Sequence, residues 1–146
     1  MPTASHLFSA VIFAVIAWFA SELAKPLMPD GTQFGLFSEI NAALAAWLGW
    51  KMVGSRAKAG LRASVSAGIG TAVALFVLAT ALHCFAIMIK RSTADRYDDP
   101  VEALTAAVGM MWEFGEPALT PEIVGLLLVG GFGAGLMSAL VARVWP

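Results

Sequence analysis

The chain has 146 residues, of which 59% are hydrophobic and 13% charged, about half the charged fraction of an ordinary soluble domain. That excludes a soluble core with an appended tail and points to one polytopic membrane domain. The net charge of −1 gives no reason to expect a nucleic-acid partner, and the single cysteine, Cys84, excludes an intramolecular disulfide.

The first predicted span covers residues 5–23. No Lys or Arg precedes it, and its apolar run is longer than a usual signal-peptide core, so a retained helix is expected. Trp18 and Phe19 fall near its far end, where an aromatic belt belongs. Pro26, Pro29, Asp30 and Gly31 then stop the helix and make a turn. A second span is expected over residues 36–54, with Ser38 as a local cap and with Trp47, Trp50 and Lys51 marking the opposite interface. The next loop and its shoulders carry Lys51, Arg56, Lys58 and Arg62 and no acid. By the positive-inside rule this loop is cytoplasmic, and the N-terminus lies on the same side.

The third span is expected over residues 64–89, ending at Lys90 and Arg91. Ser66, Gly70 and Ala74 make a row of small residues along it. After an acidic loop containing Asp95, Asp98 and Asp99, residues 100–119 read as an amphipathic helix, with Asp99 as N-cap, Pro100 at N1 and Glu102 at N3. At 100° per residue, Glu102, Glu113 and Glu116 fall within about 60° of one another. Thr105 and Gly109 share that face, and Val101, Leu104, Val108, Met111 and Trp112 lie opposite. This helix is expected to lie in the membrane interface, or as a lid on the bundle, because burying three glutamates in a fifth span is costly. The last span, 121–142, opens with Thr120 as N-cap and Pro121 at N1, and from Ile123 to Ala142 it runs 20 residues without a charge. Gly131, Gly135 and Ala139 follow small-xxx-small spacing, which lets a second backbone approach closely. The expected partner is the Ser66, Gly70, Ala74 row. The predicted fold is therefore all-α: four transmembrane helices plus one interfacial helix before the last.

Taken together, SELAKPLMPDGTQFGLFSEINA, GWKMVGSRA, RYDDPVEAL and the closing LLVGGFGAGLMSALVARVW resemble the TrgA family, small membrane proteins of alphaproteobacteria associated with tellurite resistance. The resemblance spans essentially the whole chain. It implies an inner-membrane location and a role linked to tellurite, and it implies no mechanism and no active-site residues.

Three sets of residues could carry chemistry. Glu22, Lys25, Glu39 and Asn41 sit at one membrane depth, at the end of span one and the start of span two. They form either a cluster that handles a proton or cation, or a plain Glu22–Lys25 pair with Glu39 as a helix N-terminal acid. His83, Cys84 and Met88 are types that bind soft metals, but His83 and Cys84 are adjacent and point about 100° apart on a helix. Only His83 with a residue from another segment could close a site; the plain alternative is packing. The acidic face of Glu102, Glu113 and Glu116, with the three preceding aspartates, favours cations over anions, or is simply solvated. No phosphate loop, dinucleotide motif, zinc motif or nucleophile elbow is present, so a non-enzyme without metal or cofactor is expected. The expected partners are the lipid bilayer and either other subunits or further copies of the chain, held through the Gly-rich helices. A tellurite-resistance protein acting by transport or altered oxyanion entry, and an accessory subunit of a larger assembly, are the two functions in contention.

Overall fold

The computed structural model describes residues 4–28, 30, 33–93 and 99–145. The expected roles of Pro29, Gly31, Asp95 and Asp98 therefore lie outside the described residues. Among those described there is no strand. Five α-helices follow in order: α1 (Ala4–Ala24), α2 (Phe37–Leu48), α3 (Leu61–Ser92), α4 (Pro100–Ala118) and α5 (Pro121–Val144). Three helical stretches are long and apolar enough to cross a membrane: Ala4–Leu27, Leu61–Arg91 and Pro121–Val144.

The second apolar segment is not one α-helix. Its α-helical part stops at Leu48, a π turn covers Gly49–Val53, and a 3-10 stretch covers Gly54–Ala59. The change of pitch coincides with close backbone contact to α1. A Cβ added at Gly49 would lie 2.6 Å from the Ser9 carbonyl oxygen, and one added at Gly54 would lie 2.7 Å from the His6 Cα. Gly60, at φ 107°, then turns the chain into α3. At 1.5 Å per residue the 32 residues of α3 reach roughly 48 Å, well beyond a hydrocarbon core of about 30 Å. The two remaining helix starts are capped as expected: the Val101 amide donates to Asp99 Oδ1 at 3.2 Å and the Ile123 amide to Thr120 Oγ1 at 3.4 Å.

Interior and exterior are reversed relative to a water-soluble bundle. Large apolar side chains face outward, among them Leu7, Val11, Val15 and Phe19 on α1, Val73 and Val77 on α3, and Val129 and Phe132 on α5. The interior holds alanines together with Ser5, Ser9, Ser38, Ser64, Thr71 and Ser138, all wholly buried. Hydroxyls survive there because they are paired. Ser9 Oγ donates to the Ser5 carbonyl at 2.6 Å and lies 2.8 Å from Ser138 Oγ, and Ser64 Oγ donates to the Gly135 carbonyl at 2.6 Å. Small residues and satisfied hydroxyls between helices, with greasy side chains outside, are what packing in lipid selects.

Helices α3 and α5 meet through Gly68, Gly131 and Gly135. A Cβ on Gly131 would lie 2.7 Å from the Gly68 carbonyl oxygen, and one on Gly135 would lie 2.5 Å from that of Ser64. Ala139 is buried beside them. The partner row on α3 is thus Ser64 and Gly68, and the Ser66, Gly70, Ala74 row is displaced from the contact. Ser66 is exposed, and the nearest atom to a Cβ on Gly70 is Met52 Cε at 3.9 Å. The two rows lie about 200° apart around the helix, and spacing alone does not distinguish them. Gly131 and Gly135 are occupied by this contact within the chain.

Helix α4 packs on α3 through a separate small core of Cys84, Ala107 and Met110. Its packed face is Ala103, Ala107 and Met110. Of the apolar side expected opposite the acids, Val101, Leu104, Val108 and Trp112 are 59–70% exposed, and Met111 alone packs against the small core. α4 therefore has three faces: packed, acidic, and apolar without a partner among the described residues. Alanine looks neutral in a periodicity count, so the packed stripe was masked by the larger residues beside it.

Candidate functional site

The end of the bundle that carries Lys90 holds a partly open cavity of about 740 Å³, inside the range of small-molecule sites. α1 contributes Ser21 from its last turns, α2 contributes Phe37 and Asn41 from its first, and α3 contributes His83 from its last third. These three ends come together because α1, α2 and α3 alternate in direction. The mouth holds Lys90 and Arg91 together with Asp30 and Glu113, while Leu75, Ile123 and Leu127 line the apolar remainder.

One hydrogen-bonded chain crosses the wall. Ser21 Oγ donates its single proton to the Ala17 carbonyl at 2.7 Å, so it accepts from Asn41 Nδ2 at 2.9 Å. That orients the amide with Oδ1 toward His83 Nε2, 2.9 Å away. Nε2 therefore carries a proton and donates it, and in the neutral ring Nδ1 is an acceptor. Nδ1 has no hydrogen-bond partner among the described residues. No wholly buried side-chain nitrogen or oxygen among them lacks a partner, so Nδ1 is not sealed in, and His83 is one of the residues that line the cavity. The Phe37 ring lies against the imidazole, with centroids 4.4 Å apart and planes tilted by 35°.

The sequence-derived sets are regrouped by the fold. Glu22 and Lys25 pair at 2.6 Å, and Ser38 donates to the same Glu22 oxygen at 2.6 Å. Ser38 thus ties α2 to α1 and does not cap its own helix. Glu39 is exposed and has no hydrogen bond or ion pair among the described residues. Asn41, buried, leaves that set and joins His83. Cys84 turns away beneath α4 and Met88 flanks it in the same small core. The described residues contain no group of three His, Cys, Asp or Glu placed to hold a metal. Glu102, Glu113 and Glu116 are all exposed, and only Glu113 reaches the cavity mouth. Ser21 escaped the sequence reading because serine in an apolar helix carries no periodic signal; its role depends on α2 lying beside it.

Fold and site define a class: a helical membrane protein with a mainly apolar cavity near one end that carries a few polar groups. Beyond the class, the chain matches no protein-family model, and comparison with characterised proteins and with solved structures finds no match.

Proposed function

We propose that this is a four-span inner-membrane protein that contributes to tellurite resistance by taking a small ligand into its cavity. The link to tellurite rests on the resemblance to the TrgA family. The ligand-binding role rests on one observation, the Ser21–Asn41–His83 chain that leaves an imidazole nitrogen available at the cavity wall. The fourth span is the composite helical run from Phe37, whose exposed Trp47 belongs with lipid. α4 lies in the interface, its outward apolar stripe in the acyl boundary and its glutamates in water. With four spans the Lys51–Arg62 loop and both termini are cytoplasmic, and the cavity opens on the other side.

The test is complementation of a deletion strain. Asn41→Leu and His83→Phe are expected to accumulate normally in the membrane and to lower the tellurite concentration that cells tolerate. Full resistance from both variants at normal abundance would remove the cavity from the function, and a deletion strain with unaltered tolerance would remove tellurite. A second reading, an accessory subunit of a larger assembly, is favoured by the unpartnered stripe Val101, Leu104, Val108 and Trp112. The mass of the intact particle extracted gently from native membranes separates the two: fixed stoichiometry with another polypeptide supports the subunit.

A further inference from the structure

We infer that the cavity is a binding site for the head group of a lipid-soluble hydroxyaromatic, of the isoprenoid quinol class. This rests on the ligand-binding reading above and names the ligand's chemistry. Below the charged mouth, His83 can offer an acceptor, because its Nε2–H is already donated to Asn41; the matching ligand group is a hydroxyl. Aromatic rings stand beside the acceptor, with Phe37 against the imidazole and Phe34 edge-on against Phe37, while Phe76 and Phe114 line other parts of the space. A flat ring fits between such faces by offset or edge-to-face contact. Depth points the same way. His83 lies seven residues before Lys90, so the acceptor is about 10 Å below the charged mouth along α3. Leu75 lies a further eight residues in, about 12 Å deeper, where an apolar tail belongs. A phosphoglycerol lipid fits this layering badly. With its phosphate at Lys90 it presents ester oxygens, acceptors without a proton, at the level of His83.

The experiment uses the full chain purified from native membranes. Its bound lipids are extracted and identified by mass spectrometry, and decylubiquinol is titrated calorimetrically in a neutral detergent. The expected result is quinone or quinol in the extract at close to one per chain and one-to-one binding of decylubiquinol. His83→Phe, which removes the acceptor, should weaken that binding about tenfold, the effect of one hydrogen bond. Ala79→Phe, which sets a ring into the cavity one helical turn from His83 and replaces no member of the hydrogen-bonded network, should abolish it by obstructing the head-group position while helical circular dichroism is retained. Decylubiquinol binding that survives Ala79→Phe, a site filled by phospholipid alone, or no saturable binding to the wild-type protein each overturns the inference. Quinol binding without any tellurite phenotype would sink the proposed function and leave the site standing; a phenotype without quinol binding does the reverse.

Discussion

Replacing Gly131 by alanine tests the contact between α3 and α5. The added methyl would lie 2.7 Å from the Gly68 carbonyl oxygen and 3.1 Å from Ala72 Cβ. The carbonyl belongs to helix backbone and cannot swing away, so the helices must separate by about 0.8 Å to restore an ordinary contact near 3.5 Å. The same movement stretches the 2.6 Å bond from Ser64 Oγ to the Gly135 carbonyl to about 3.4 Å, beyond useful hydrogen-bond length. Overpacking costs about 1–3 kcal/mol and the weakened bond about 1 kcal/mol. Alanine's better helix propensity returns about 0.5–1 kcal/mol. The net expectation is a destabilisation of about 1–3 kcal/mol. Gly70→Ala and Gly133→Ala serve as controls: the first meets only Met52 Cε at 3.9 Å and the second meets nothing within 4 Å. Both should be neutral or slightly stabilising. The assay is loss of helical circular dichroism on titration of mixed micelles with a denaturing detergent, run on all three variants. Equal midpoints for Gly131→Ala and Gly70→Ala would refute the reasoning, since the two glycines differ only in what stands opposite them.

Asn41→Leu should lower the midpoint in the same assay by the equivalent of about 1–3 kcal/mol, because it leaves the polar atoms of Ser21 and His83 facing an apolar side chain; an unchanged midpoint would show that the network is not closed in the membrane. Glu22→Gln should leave the midpoint unchanged, as the Lys25 pair is solvent-exposed and screened, and a clear shift would mean that this corner is drier than its geometry implies. Cys84 is 1% exposed beneath α4, so maleimide labelling should be at least tenfold slower in mild micelles than after denaturation; equal rates would show that α4 does not stay docked on α3. In a Cys84→Ser background, a membrane-impermeant thiol reagent applied to intact cells should label Asp30→Cys and spare Lys58→Cys, the reverse pattern inverting the topology.

Much of the architecture is written locally. The apolar runs of α1, α3 and α5, the caps at Asp99 and Thr120, and the small-residue surface at Gly131 and Gly135 each follow from a few neighbouring residues, because span length, capping and backbone access are local properties. Other features depend on what lies across the gap. Ser64 and Gly68 and the Ser66, Gly70, Ala74 row are equivalent as patterns; only the rotation of α3 against α5 chooses between them. The break after Leu48 coincides with the close approach of α1 at Gly49, and the packed face of α4 is an alanine stripe that no hydropathy pattern would favour over Val101 and Trp112. The site shows this most plainly. Residue types marked Asn41 and His83 as polar groups in apolar helices, 42 positions apart, but their union depends on the antiparallel stacking of α1, α2 and α3. That stacking also recruits Ser21, fixes which His83 nitrogen holds the proton, and opens the cavity beside it. The sequence alone determined that this chain belongs in lipid and roughly where it turns. The tertiary structure decided which polar groups meet, because a hydrogen bond across helices is set by their rotation and depth, and neither is a local property.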